Sequence, residues 1–155
     1  MIISINIQDL EISREYQCMC LKKSNSFRNG CPNYGKREGC PPRNLFHEEY
    51  NLNEPIYLIA TDFDLTQQTN KIRRAHPDWT EKAIYNPRYW QNTARKTHLS
   101  EISNFLKENP KYTIERSPEG AGINIDKLCS SYGINLEWPP RKITRVVSIG
   151  ALKLH

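Results

Sequence analysis

Residues 56–64 read Ile-Tyr-Leu-Ile-Ala-Thr-Asp-Phe-Asp. Ile56–Ala60 is an apolar run of strand length, and it leads directly into the polar Thr61-Asp62-Phe63-Asp64. An open α/β sheet places ligand or metal contacts at such a strand exit. Here one of Asp62 and Asp64 is expected to cap the helix that follows, and the other to be solvated. A Mg²⁺-dependent phosphoryl enzyme built on the two aspartates ranks last, because no nucleophile or phosphate loop accompanies them.

Downstream of that strand the pattern turns helical over Thr66–His76, breaks at Pro77 and resumes at Asp78-x-x-Glu81, which has the form of a capping box. Asn86-Pro87 opens the longest predicted helix and Pro110 stops it. Along it Trp90, Ala94, Ile102, Phe105 and Leu106 form the core stripe. Tyr112–Arg116 reads as a strand and Ile125–Tyr132 as a short helix closed by Gly133. Ile143–Leu154 is a final strand, and upstream Ile2–Ile7 alternates like another. Strand, helices, strand, helix, strand predicts an α/β fold: a three- to four-stranded, largely parallel sheet with right-handed crossovers. The 155 residues suit one domain over 1–155, with a cysteine-rich metal-binding segment at 14–43 and an α/β body at 55–155.

Four of the five cysteines, Cys18, Cys20, Cys31 and Cys40, fall within CMCLKKSNSFRNGCPNYGKREGC, which Pro41-Pro42 follows. Gly30, Gly35 and Gly39 lie beside or between the later ones, where positive φ lets short turns gather sulfurs on one centre. Paired Cys-x-x-Cys knuckles are missing, yet packing alone does not account for four cysteines so close. His47 could replace one sulfur, although a histidine in a connector is more often exposed. Cys129 shares helical spacing with Ile125, Leu128 and Tyr132 and is expected in the core. No apolar run is long enough to span a membrane, and the N-terminal residues lack the pattern of a secretory signal, so the expected location is the cytoplasm, where thiols stay reduced.

The net charge of +5 is unevenly spread. Residues 14–43 carry seven basic and two acidic side chains, and residues 71–96 carry the same numbers, so everything else sums to −5. Four thiolates around Zn²⁺ or a cluster core leave about −2, which offsets part of the first excess. The remainder would attract nucleic acid or a phosphorylated ligand. Candidate contacts are Lys22, Lys23, Arg28, Lys36 and Arg37, with Phe27 and Tyr34 to stack on bases, and Arg88, Arg95 and Lys96 on the long helix beside Tyr89. A solvated basic face explains the same charges equally well. Gly120-x-Gly122 lacks the third glycine of a dinucleotide fingerprint and reads as a tight turn.

Cys31-Pro-Asn-Tyr-Gly-Lys-Arg-Glu-Gly-Cys40-Pro-Pro resembles the N-terminal signature of an uncharacterised prokaryotic family of predicted metal-binding proteins, in which a cysteine, a Tyr-Gly-Lys turn and Cys-Pro-Pro recur. Ser117-Pro-Glu-Gly-Ala-Gly-Ile-Asn-Ile resembles that family's later glycine-containing loop. The two stretches cover about a quarter of the chain. A further ferredoxin-like cysteine cluster found in some members has no counterpart here, which argues against a two-centre electron-transfer role. The resemblance implies metal binding and no established reaction.

Four thiolates satisfy tetrahedral Zn²⁺ and equally a [4Fe-4S] cluster, and cysteine followed by proline occurs in some cluster motifs. The expectation is an iron-sulfur enzyme or accessory factor acting on a nucleotide, nucleic acid or sulfur-containing substrate. The alternative is a zinc-stabilised nucleic-acid-binding module without catalysis.

Overall fold

The computed structural model describes residues 1–23 and 28–155. Its central strand, β2 (Ile56–Asp64), is longer than the apolar run alone and carries the Thr-Asp-Phe-Asp extension within the sheet. It pairs with β4 (Ile143–Ala151) from Tyr57↔Gly150 to Asp64↔Ile143 and with β1 (Ile2–Ile5) on its other side. β3 (Thr113–Glu115) adds to the outside of β4, giving the order β1-β2-β4-β3.

Every neighbouring pair is antiparallel, which overturns the expected largely parallel sheet. The reason lies in one intercalation. β2 and β3 do run in the same direction, but the crossover lands one position too far out and β4 fills the gap in the opposite sense. This is the split βαβ arrangement. Only long-range pairing decides it, so no local pattern in the chain could have announced it.

The helices between β2 and β3 cover one face. α3 (Leu65–Ala75) starts at Asp64, whose carboxylate accepts from Gln67 N–H at 2.8 Å, so Asp64 is the capping aspartate. Asp62 instead pairs with Arg145 at 2.9 Å. α4 (Glu81–Ile84) is capped by Thr80, two residues later than the Asp78 box suggested. Asn86-Pro87 begins a short 3-10 turn, Pro87–Tyr89, and the long helix α5 (Gln91–Glu108) follows after Trp90. α5 lays Ala94, Ile102 and Phe105 on the sheet: Phe105 packs with Ile59, Ala94 with Leu65 and Trp90. Gly150 in β4 makes room for Phe105, since a Cβ there would stand 2.8 Å from the ring.

The opposite face of β2, through Ile56, Leu58 and Ala60, packs on Phe46, Tyr50, Ile123, Leu128 and Cys129. β2 is thus buried on both sides, which is why Ile56–Ala60 is continuously apolar. The second layer consists of α1 (Arg14–Cys18), α2 (Phe46–Glu49), α6 (Ile125–Ser131) and the loops between them. The cysteine segment belongs to this layer. No helix among the described residues is long and apolar enough to cross a membrane.

Candidate metal centre

The platform beneath the cysteines is the turn at 117–122. Ser13 N–H donates to Gly122 O at 2.8 Å, and Phe46 N–H donates to Ala121 O at 2.9 Å. Between those two anchors the buried Gln17 amide donates to Gly120 O at 2.9 Å and to Arg43 O at 3.0 Å. A Cβ on Gly120 would come within 2.1 Å of Gly39 O, and one on Gly122 within 2.8 Å of Ser13 O. Both glycines therefore exist for close backbone approach, and Gly122 also adopts φ +82°. Gly120-x-Gly122 is a turn, as expected, and its role is to receive the chain on either side of Cys18–Cys40.

The sulfurs are distributed unequally over this platform. Cys18 ends α1 and is exposed; Cys20 lies in a 3-10 turn, Met19–Leu21, and is half-buried, as are Cys31 and Cys40. Cys31 N–H donates to Cys20 O at 2.7 Å, past Gly30, whose φ is +81° and where a Cβ would stand 2.8 Å from Cys20 O. Gly35 N–H donates to Pro41 O at 2.6 Å, folding Cys31–Cys40 back on itself. Burial pushes the Cys20 thiol above its ordinary range, and Cys31, Cys40 and the Glu119 carboxylate push it the same way. The backbone bond sets Cys31 beside Cys20, and Cys40 lies near enough to act on the same thiol.

Closure is incomplete, and this corrects the expected metal-binding loop. Among the described residues no three His, Cys, Asp or Glu side chains stand in position to hold a metal ion. Cys18 and Cys20 occupy consecutive helical turns two residues apart, a spacing at which side chains do not face one another. As a donor set the residues do suit a soft metal, with four thiols and little competition from hard oxygen ligands. His47 is exposed on α2, and Cys129 is buried in the core with its thiol pushed up to about 11, chiefly by burial.

Two hollows border the thiols. On the Cys20 side, Met19, Glu119, Ile125 and Trp138 line an apolar hollow of about 290 Å³. Glu119 keeps contact with solvent at its mouth, yet the surrounding protein raises its carboxyl above the usual range. On the Cys40 side a cleft of about 870 Å³ runs along the free edge of β3. Arg43 forms its floor, giving two hydrogen bonds to Glu115 at 2.8 and 3.1 Å and one to Glu49 at 3.2 Å.

The predicted cations scatter over several surfaces. Arg37 and Arg95 meet at the β3-edge cleft, together with Arg116, which carries no sequence signal beyond its charge. Lys22, Lys23, Arg28 and Lys36 are exposed on the cysteine segment but do not line that cleft, and Lys96 is exposed on α5. Arg88 sits in the 3-10 turn beside Tyr89, whose ring meets Trp79 at 4.8 Å, and Trp79 in turn stacks on His76 at 3.9 Å. Tyr34 is half-buried; Phe27 lies outside the described residues. Sequence reasoning missed Glu119, Arg116 and Trp138. No protein-family model matches the chain, and neither does any curated protein or solved structure.

Proposed function

We propose that the chain is a metal-thiolate protein, with a [4Fe-4S] cluster held by Cys20, Cys31 and Cys40 and with Cys18, which does not face Cys20 in this structure, joining as the fourth ligand only when the segment closes. It acts, in this reading, on a nucleotide, nucleic-acid or sulfur-containing substrate in the cytoplasm. The observation that carries the proposal is the shared neighbourhood of three half-buried thiols, held by the Cys31-to-Cys20 backbone bond and the positive-φ glycines. The two stretches that carry the family resemblance also meet, Gly39 against Gly120, which links the Cys-Pro-Pro motif to the later loop in space. When bound, a cluster supplies electron transfer or a Lewis-acidic iron. The chain's own groups supply the rest: the backbone positions the thiolates, Arg37 and its neighbours offset their charge, and the Cys20-side hollow limits access of water.

The second reading is a zinc-stabilised nucleic-acid module. It is favoured by the His76–Trp79–Tyr89 ladder, which places aromatic faces beside Arg88 as a single-strand platform would. Anaerobic purification followed by iron, zinc and sulfide analysis separates the two. Brown protein with iron and sulfide supports the cluster; stoichiometric zinc in colourless protein supports the second reading. Cys20→Ser, Cys31→Ser and Cys40→Ser should each lose the metal while Cys129→Ser retains it. A chain that binds neither metal, or binds it equally without these three thiols, would overturn both readings.

A further inference from the structure

We infer that the β3-edge cleft binds a small ligand carrying two or more phosphate groups, of nucleotide size. Five cations line it, Arg37, Arg43, Arg95, Arg116 and Lys153, against three carboxylates, Glu38, Glu49 and Glu115. Glu115 and Glu49 are committed to Arg43, and Glu49 also holds Lys153 at 3.3 Å. That leaves Arg37, Arg95 and Arg116 without an ion-pair partner among the described residues, against Glu38 as the one lining carboxylate likewise uncommitted, and the three cations reach one cavity from three separate elements. They come from the cysteine segment, from α5 and from the end of β3.

Convergence from three elements distinguishes the cleft from a solvated basic face, where like charges spread apart. Guanidinium forks match phosphate oxygens two at a time, so three of them suit a polyphosphate better than a single carboxylate. A cleft of about 870 Å³ is in the range of small-molecule sites. Among the described residues β3 pairs with β4 alone, so peptide groups on its other side have no strand partner there and can bond the less charged part of a ligand. Cys40 and Ser117 also line the wall, which brings the bound molecule to the thiol neighbourhood. Binding itself needs no metal; the inference rests on the metal-thiolate reading only in naming the bound molecule as its substrate.

The test is calorimetric titration of the full chain, its metal content measured beforehand, with ADP, ATP and inorganic pyrophosphate at several salt concentrations. Saturable one-to-one binding that weakens with salt is expected, with a loss of roughly tenfold or more in Arg37→Gln, Arg95→Gln and Arg116→Gln, since each removes charge-assisted bonds. Lys96→Gln, adjacent to Arg95 but outside the cleft, should stay within about twofold of the parent, as a solvated cation does. Arg95→Gln, Arg116→Gln and Lys96→Gln should keep the parental metal content, while Arg37→Gln, which also removes charge beside the thiols, is read by anion affinity alone. Absence of saturable binding for all three probes overturns the inference, as does equal weakening by Lys96→Gln, or tight binding of a short single-stranded RNA with none of the small anions. Protein that takes up neither iron-sulfur cluster nor zinc on reconstitution and still binds the probes would defeat the metal reading and leave this one standing.

Discussion

Gly120→Ala tests whether the 117–122 turn clamps the cysteine segment. Gly120 is not in the positive-φ region, so its backbone accepts alanine and the whole cost must come from packing. The new methyl would stand 2.1 Å from Gly39 O, 3.1 Å from Ser117 O and 3.3 Å from Gly39 C. All three are backbone atoms, so no rotamer change relieves the overlap, and the two strands of chain must part by about 1 Å to restore ordinary contact. Overpacking of this kind costs about 1–3 kcal/mol. Parting also strains the Gln17 bonds to Gly120 O and Arg43 O, each worth about 1 kcal/mol, with Gln17 left buried. The total is about 3 kcal/mol, which for a chain of this size lowers the melting temperature by about 6–12 °C. Gly133→Ala is the control: its φ is +73° but nothing lies within 4 Å, so it carries only the left-handed penalty of about 1–2 kcal/mol. Urea unfolding gives the two stabilities, and the rates at which Cys31 and Cys40 react with a thiol reagent give the position of the segment. Gly120→Ala should be the more destabilised and should expose both thiols, while Gly133→Ala leaves their rates unchanged. Equal stabilities, or unaltered thiol rates in Gly120→Ala, would refute the clamp.

Three further outcomes follow from polar side chains, two of them buried. His98 is 3% exposed and bridges Thr61 Oγ1 and Ser148 Oγ, each at 2.7 Å, and burial holds its imidazole pKa below the ordinary 6.5. Below pH 6.5 the unfolded chain takes up the proton first, so this contribution is complete above that pH and is lost as pH falls toward the folded value, at up to about 1.4 kcal/mol per pH unit. Urea unfolding of His98→Gln should show that slope flattened, at a cost near neutrality of about 2–4 kcal/mol from lost packing and an unpaired hydroxyl. Glu115→Gln removes the charge that faces Arg43 across the sheet edge; because Arg43 retains Glu49 and some solvent, the expected loss is about 2 kcal/mol, read from the same unfolding curves. Asp64→Ala deletes the α3 cap and should cost about 1 kcal/mol by thermal denaturation, with no change in metal content.

The elements were legible where burial writes a local period. The apolar run at Ile56–Ala60, the Trp90–Phe105 stripe and buried Cys129 all occupy the places their spacing indicates. His98 shares the four-residue row of Ala94 and Ile102, so its burial was there to read, although its two hydroxyl partners lie on strands far along the chain. What stayed hidden depended on distant pairing. The slot that β4 fills between β2 and β3 leaves no mark on either strand. The same holds for Gly120, whose meaning is Gly39 O, and for Arg116, a lone charge at a strand end until Arg37 and Arg95 arrive beside it.

That non-local assembly also separates fold from site. The sheet and its two covering layers are built from Phe46, Leu58, Ile123, Leu128 and Ile149 on one face and Ile59, Ile102 and Phe105 on the other, none of them in the cysteine segment. A core of that extent stabilises the chain without help from sulfur ligands. The segment is then attached at few points, chiefly Gln17, Gly39 against Gly120, and Arg43 on Glu115. Under the proposed metal reading, few attachments would let the thiols draw together without disturbing the sheet. Because the stretch from Arg37 to Arg43 walls both the thiol neighbourhood and the cleft, any such closure must also move Arg37 and Cys40 relative to Arg95 and Arg116. If the proposed metal and the proposed anion both bind, their sites share one short stretch of backbone, and by linkage each would shift the affinity of the other by the same factor.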